Sequence, residues 1–273
     1  MSNLAARLAT AAVLVPGLLY AVLGDDTLWG VLALTVVGGG IALDEYLRMA
    51  LGAGRHIAVR FVTGLVGSSA IVAVTLGDHP LRVSAVLSVG VVGIAITVLF
   101  QRAQLSGAAR HLAAAVSGLA YVTLLVSAVP LFKRDLESPG AGWLLVALGI
   151  AFLSDTVAYA FGRMFGRHPL YPQVSPNKTV EGSVGGLVGG CLATFGLGMA
   201  WLVPGLHWSH ALVLGVLGSA VGQCGDLVES AIKRTYGVKD SGSVLPGHGG
   251  MLDRIDALLF VAPIVYFYVT FVL

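Results

Sequence analysis

Apolar residues in this chain gather into long unbroken runs separated by short polar stretches. The runs cover residues 4–23, 28–43, 61–76, 83–100, 112–132, 143–161, 183–203, 211–228 and 255–273. A bilayer core about 30 Å thick takes roughly 20 residues of helix to cross. A membrane barrel would instead show alternating strands of about ten residues. The pattern predicts an all-α, polytopic transmembrane helical bundle of about nine spans. The second run is short, and its helix is expected to continue through Asp44 and Glu45 towards Leu51. The first run follows Arg7 and is broken by Pro16, with no clean small-residue cleavage site after it. It reads as a retained helix rather than a removed leader.

Charge between the runs sets an orientation. With the N-terminus inside, thirteen lysines and arginines fall in the N-terminal segment and the even-numbered loops, from Arg7 and Arg48 to Lys239 and Arg254. Only Arg82, Lys133 and Arg134 fall on the other side. This positive-inside bias predicts a cytoplasmic N-terminus. Trp29, Trp143, Trp201 and Trp208 all fall at the opposite ends of the runs, where indole rings favour the interface. The two long inner loops, 162–182 and 229–254, hold most of the unusual side chains, so chemistry is expected at the cytoplasmic face.

Composition sharpens the picture. Hydrophobic residues make up 56% of the 273 positions and charged residues only 11%. A soluble domain carries about a quarter charged residues, so lipid is the expected solvent and no nucleic-acid partner is expected. Many of the 37 glycines lie inside apolar runs. In the seventh run Gly182, Gly186 and Gly190, with Gly185 and Gly189, recur every four residues. That is a close-packing face for another helix or for a second copy in a homodimer. Cys191 and Cys224 lie in apolar surroundings without metal-ligand or disulfide spacing and read as packing residues.

The polar chemistry concentrates in three places. If the eighth helix continues past residue 228, Asp226, Glu229, Ser230 and Lys233 share one face. Ionisable groups at a membrane helix end are costly unless they pair or bind something; a helix-capping network is the plain alternative. Next, residues 246–250 form a glycine-rich loop, Pro-Gly-His-Gly-Gly, whose bare amides could approach an anion. It leads into the ninth helix, where Asp253 and Asp256 lie one turn apart. Acids there suit the helix dipole. Together with Asp226 they also suit Mg²⁺, which takes oxygen ligands from one or two carboxylates and substrate phosphates. Finally, Asp155 lies one to two turns inside the sixth helix's boundary, a depth at which an acid is a functional candidate. Ser175-Pro176 reads as the N-cap and first turn of the seventh helix, placing Lys178 near its anion-attracting end.

These residues bring a family into view. Ser230-x-Ile232-Lys233-Arg234, Lys239-Asp240-x-Gly242 and Leu245-Pro246-x-His248-Gly249-Gly250-Met251-x-Asp253-Arg254-Ile255-Asp256 resemble the phosphatidate cytidylyltransferase (CDP-diglyceride synthase) motif at every specified position. Asp155-x2-Ala158-Tyr159-x2-Gly162-Arg163 and Ser175-Pro176-x-Lys178-Thr179-x-Glu181-Gly182 resemble the family's second block. Asn177 departs from it, since a lysine is commoner there. The specific resemblance runs from Asp155 to Asp256. Before Asp155 it is one of hydropathy alone.

The resemblance implies a Mg²⁺-dependent transfer of CMP from CTP to phosphatidate, giving CDP-diacylglycerol and pyrophosphate, and leaves open a second, monovalent cation. On this reading Asp226, Lys233 and Asp253 are catalytic, with Asp226, Asp253 and Asp256 as metal ligands. Lys178, Arg234, Lys239, His248, Gly249, Gly250, Asp155 and Glu181 are then substrate-binding. Residues 1–140 would form the scaffold and lipid access, and 141–273 the catalytic region. The expected setting is a bacterial inner (cell) membrane, in contact with membrane lipid, with the active site facing the cytoplasm. An ion-coupled transporter is the competing class, because acids and glycine-broken helices mark those too. Here, however, the acids gather at one face and no matching halves are visible. A CDP-alcohol phosphotransferase would need a different acid-rich helix.

Overall fold

The computed structural model describes residues 12, 15–24, 28–52, 54, 56–100, 107–136, 140–245, 247 and 249–273. Among these, eight helices are long and apolar enough to cross a membrane, and a shorter apolar helix precedes them. We number them α1 Val15–Gly24, α2 Trp29–Leu51, α3 Ile57–Leu76, α4 Pro80–Phe100, α5 Ala108–Asp135, α6 Gly140–Phe165, α7 Val180–Leu202, α8 Trp208–Thr235 and α9 Leu252–Val272. The protein is therefore an all-α polytopic bundle. The second helix does run on past Asp44 and Glu45 to Leu51, and the start of the first apolar run lies outside the described residues.

The chain divides into two compact units, one of Met1–Pro130 with Asp240–Arg254 and the other of Leu131–Lys239 with Ile255–Leu273. In the first unit, Leu43 of α2 is fully buried. Added Cβ atoms at Gly67 and Gly118 would come within 2.8 and 2.9 Å of its methyls. The glycines on α3 and α5 thus make the hole that this leucine fills. Helix α4 is the counterexample: it has the highest hydropathy of the set and only 17% of its span is buried. Val89, Leu99 and Phe100 are each more than 70% exposed. On a soluble protein such a surface would be an interaction site; on a helix long and apolar enough to cross a membrane it suits a lipid surround.

In the second unit the seventh-run glycines are used on two sides. Added Cβ atoms would approach the Ala158 carbonyl at 2.9 Å from Gly182, the Phe161 ring at 2.6 Å from Gly185 and the Leu153 carbonyl at 2.5 Å from Gly189. All three positions face α6. Gly186 and Gly190 meet Gln223 and Ser219 of α8 at 2.6 and 2.7 Å. In lipid, where burial of apolar surface drives little helix association, such close backbone approach supplies the packing energy. The glycine faces are therefore filled within the chain.

The sequence reading of Ser175-Pro176 as the start of α7 is corrected. Residues Ser175–Thr179 form a strand (β2) paired antiparallel with Pro169–Tyr171 (β1). Thr179 is the N-cap instead, its hydroxyl accepting from the Gly182 amide at 3.1 Å. The pattern that suggested a cap is equally that of a hairpin edge, where proline's missing N–H is tolerated.

Candidate functional site

The second unit holds an acidic group built by helix packing. Gly222 and Gly225 lie on the face of α8 that meets α9. An added Cβ at Gly225 would sit 2.7 Å from the Asp256 carbonyl oxygen, and one at Gly222 2.9 Å from Val261. With no side chain there, the two backbones approach closely, and carboxylate oxygens of Asp226, Glu229 and Asp256 lie within 4.8 Å of one another. Glu229 is fully buried and Asp256 is 9% exposed.

Two lysines meet these acids. Lys233, one turn beyond Glu229 on α8, forms an ion pair with it, and Lys178 of β2 pairs with Asp226. The Ser230 hydroxyl donates to Asp226 at 3.4 Å. Asp155 of α6 interacts electrostatically with Asp226 and Lys178, and Asp256 with Asp226, Asp155 and Lys233. Among the described residues, and counted as ionised, four carboxylates against two ammonium groups leave an excess of two negative charges. An all-oxygen donor set with that excess fits a hard divalent cation.

Beside the acids lies a cavity of about 580 Å³, walled by Asp155, Tyr159 and Arg163 of α6, Asn177 and Lys178 of β2, and Asp226 of α8. The volume falls within the range of small-molecule sites, roughly 300–1,000 Å³. Lys178 is pointed here by the hairpin, because β1–β2 pairing fixes its strand. Gln223 and Ser183 then join α8 to α7 through bonds of 2.5 and 3.2 Å.

Other residues assigned from sequence have different partners. Glu181 accepts from the Arg167 and His168 amides at 3.0 and 3.2 Å and contacts the His168 ring at 2.6 Å, so it braces the turn before β1. Arg234 donates to the carbonyls of Val174 and Val238 at 3.3 and 3.1 Å, fastening the hairpin to the end of α8. Lys239 is exposed in the segment after α8. In the first unit, Asp253 accepts from the amides of Ser241, at 3.1 Å, and Gly250, at 2.9 Å. These bonds orient its carboxylate. Gly249 holds φ at +82°, which favours glycine. His248 lies outside the described residues. Glu229, on the sequence-predicted face but given no role there, joins the acid group, and Arg163 and Asn177 line the cavity. For Glu229 the three-residue spacing from Asp226 was the available signal.

The sequence profile of the cytidylyltransferase family matches residues 5–272. The chain belongs to the cytidylyltransferase family. It is 35% identical over 236 residues to a Staphylococcus aureus protein described as phosphatidate cytidylyltransferase, covering 82% of this chain and 84% of that one. Proteins with the same description from Staphylococcus epidermidis and Staphylococcus saprophyticus are 49% and 47% identical over 137 and 135 residues, in each case 49% of this chain and 51% of the relative. Membership makes this an integral membrane enzyme of cytidylyl transfer, and it leaves the ion-coupled transporter reading without support.

Proposed function

We propose that this protein is a phosphatidate cytidylyltransferase. A phosphate oxygen of phosphatidate attacks the α-phosphorus of CTP, the bond from that phosphorus to the bridging oxygen breaks, and pyrophosphate leaves with the electron pair. CDP-diacylglycerol is the other product. The observation that carries the reading is Asp226, which belongs to the three-carboxylate group and at the same time pairs with Lys178 on the cavity wall. One residue thus joins a cation site to an anion site, and a reaction between two phosphates needs both. Relatives described as phosphatidate cytidylyltransferases support the choice of acceptor.

The ion would be Mg²⁺, held by Asp226 and Asp256 with Glu229 beside them. When bound, it supplies charge neutralisation between two reactants that otherwise repel. The chain's own residues do the rest. Lys178 and Arg163 hold phosphate charge in the cavity, and Lys233 offsets Glu229 while also meeting phosphate charge, as the motif implies. Lys239, His248, Gly249 and Gly250 retain the substrate-binding roles that the motif implies, and Asp253 its catalytic one. A phosphate monoester is already ionised near neutral pH, so a strong general base is not required. Residues 141–273 are assigned the chemistry, and 1–140 the scaffold and lipid access. The lysine and arginine bias supports a site facing the cytoplasm, in what is read as a bacterial inner (cell) membrane.

Transfer of label from [α-³²P]CTP to phosphatidate in detergent micelles tests the proposal. Labelled CDP-diacylglycerol and unlabelled pyrophosphate are expected. Absence of labelled lipid with phosphatidate, alongside labelling of another acceptor, would overturn it.

A further inference from the structure

Glu45 lies near the end of α2 and is only 2% exposed. A carboxylate at such a position in a membrane protein needs strong partners. Among the described residues it has three, all from the far end of the chain. The hydroxyl of Ser241 donates to Oε2 at 3.1 Å, the Met251 amide to Oε1 at 3.0 Å, and the Leu252 amide to Oε2 at 2.9 Å. The last two are among the first amides of α9, groups that a helix leaves without internal partners. Usually a local serine, threonine or aspartate caps them. Here residue 251 is methionine, with no oxygen to offer, and the cap comes from about two hundred residues upstream.

Ser241 extends the arrangement. Its amide donates to Asp253 at 3.1 Å, and its hydroxyl also accepts from the Asp253 amide at 3.3 Å. The Gly250 amide donates to the same Asp253 carboxylate at 2.9 Å. Glu45 and Asp253 therefore close the neck of the segment 241–250 from two sides. Glycine is required beside them for a steric reason. Cβ atoms at Gly242 and Gly250 would run into the Glu45 carboxylate, and at Gly250 also into the Ser241 hydroxyl. Gly250 is thus bare because Glu45 packs against it, whereas the sequence suggested that it was bare for a phosphate.

We propose that Glu45 is a positioning residue for cytidylyl transfer, holding the 241–252 segment in its working shape. The inference rests on reading that segment as part of the nucleotide-handling machinery. A neutral residue could not replace it. Glutamine has the same shape but one acceptor oxygen, and its amide would face a backbone N–H with another donor.

The test uses the full chain in detergent micelles. Glu45→Gln should lower kcat/KM for CTP by about tenfold or more, as expected when a supporting contact loosens a site, while KM for phosphatidate stays within about twofold. A nitroxide at Ser243→Cys, with Cys191 and Cys224 replaced by serine, should become more mobile in Glu45→Gln. A label at Gln173→Cys in the hairpin should not. Ser241→Ala, which removes one of the three donors, should move both readouts the same way by less, and it carries the test if Glu45→Gln does not fold. Unchanged kinetics and label mobility would overturn the proposal. So would a loss shared equally by both substrates that tracks the amount of folded protein. If the unmodified enzyme fails to label phosphatidate, the assigned reaction is wrong, and the Ser243 label still reports whether Glu45 holds the segment.

Discussion

Replacing Gly189 with alanine tests whether helix contact builds the site. The new methyl would sit 2.5 Å from the Leu153 carbonyl oxygen and 2.9 Å from the Ser154 Cα, both backbone atoms of α6. Ordinary contact begins at 3.4 Å, so α6 and α7 must part by the difference, about 0.9 Å. No side-chain rotation relieves this. Overpacking of this kind costs about 1–3 kcal/mol, and alanine's helix preference returns about 1 kcal/mol. A net loss of up to about 2 kcal/mol is expected. Gly40→Ala in α2, with nothing within 4 Å of the new methyl, should be neutral or gain up to about 1 kcal/mol. Thermal unfolding of both variants in the same detergent measures the difference. Turnover should fall in Gly189→Ala as well, because Asp155 follows Ser154 and is carried away from Asp226 and Lys178. If Gly189→Ala proves as stable as Gly40→Ala and fully active, close α6–α7 contact neither holds the unit nor sets the site.

Three further outcomes test the site and its orientation. EDTA should abolish turnover and excess Mg²⁺ restore it, while Asp226→Asn and Asp253→Asn each lose about 10²-fold or more, comparable to losing a strong transition-state stabiliser; full activity in EDTA would remove the metal. Lys233→Met strands the buried Glu229 charge and should cost about 3–5 kcal/mol. Adding Glu229→Gln should restore stability without restoring turnover, and recovered turnover would reduce Lys233 to a counter-charge. Single cysteines at Ser175 and Ser243, in a background lacking Cys191 and Cys224, should resist an impermeant thiol reagent on intact cells. Labelling of either from outside would reverse the orientation read from lysine and arginine.

Sequence alone reached the helices because run length in lipid is a direct physical demand. It reached the face of α8 because Asp226, Glu229 and Lys233 lie within two turns, where spacing determines proximity. It misplaced the start of α7. Ser175-Pro176 is a fair cap by local chemistry, and the three-residue strand Pro169–Tyr171 that claims it is too short to show a period of two. Arg234 was matched to phosphate and Glu181 to substrate binding; their bonds run to the carbonyls of Val174 and Val238, and to the amides of Arg167 and His168 with the His168 ring, groups whose positions only the fold determines. Glu45 was illegible for a stronger reason: its partners are 196 to 207 residues away, and no local pattern separates it from Asp44, which pairs instead with Arg48 and Arg60.

That separation also has a consequence in time. Ribosomes add about 5–20 residues per second, so roughly 10–40 s pass between synthesis of Glu45 and of the amides that receive it. During that interval α2 is already made and its acid has neither Ser241, Met251 nor Leu252 to bind. The first unit cannot reach its final state as the chain emerges; it waits for residues 240–254 to be made. A chain stopped between Thr235 and Met251 would carry every helix from α1 to α8 and still lack the two amides at the start of α9 that this carboxylate accepts from.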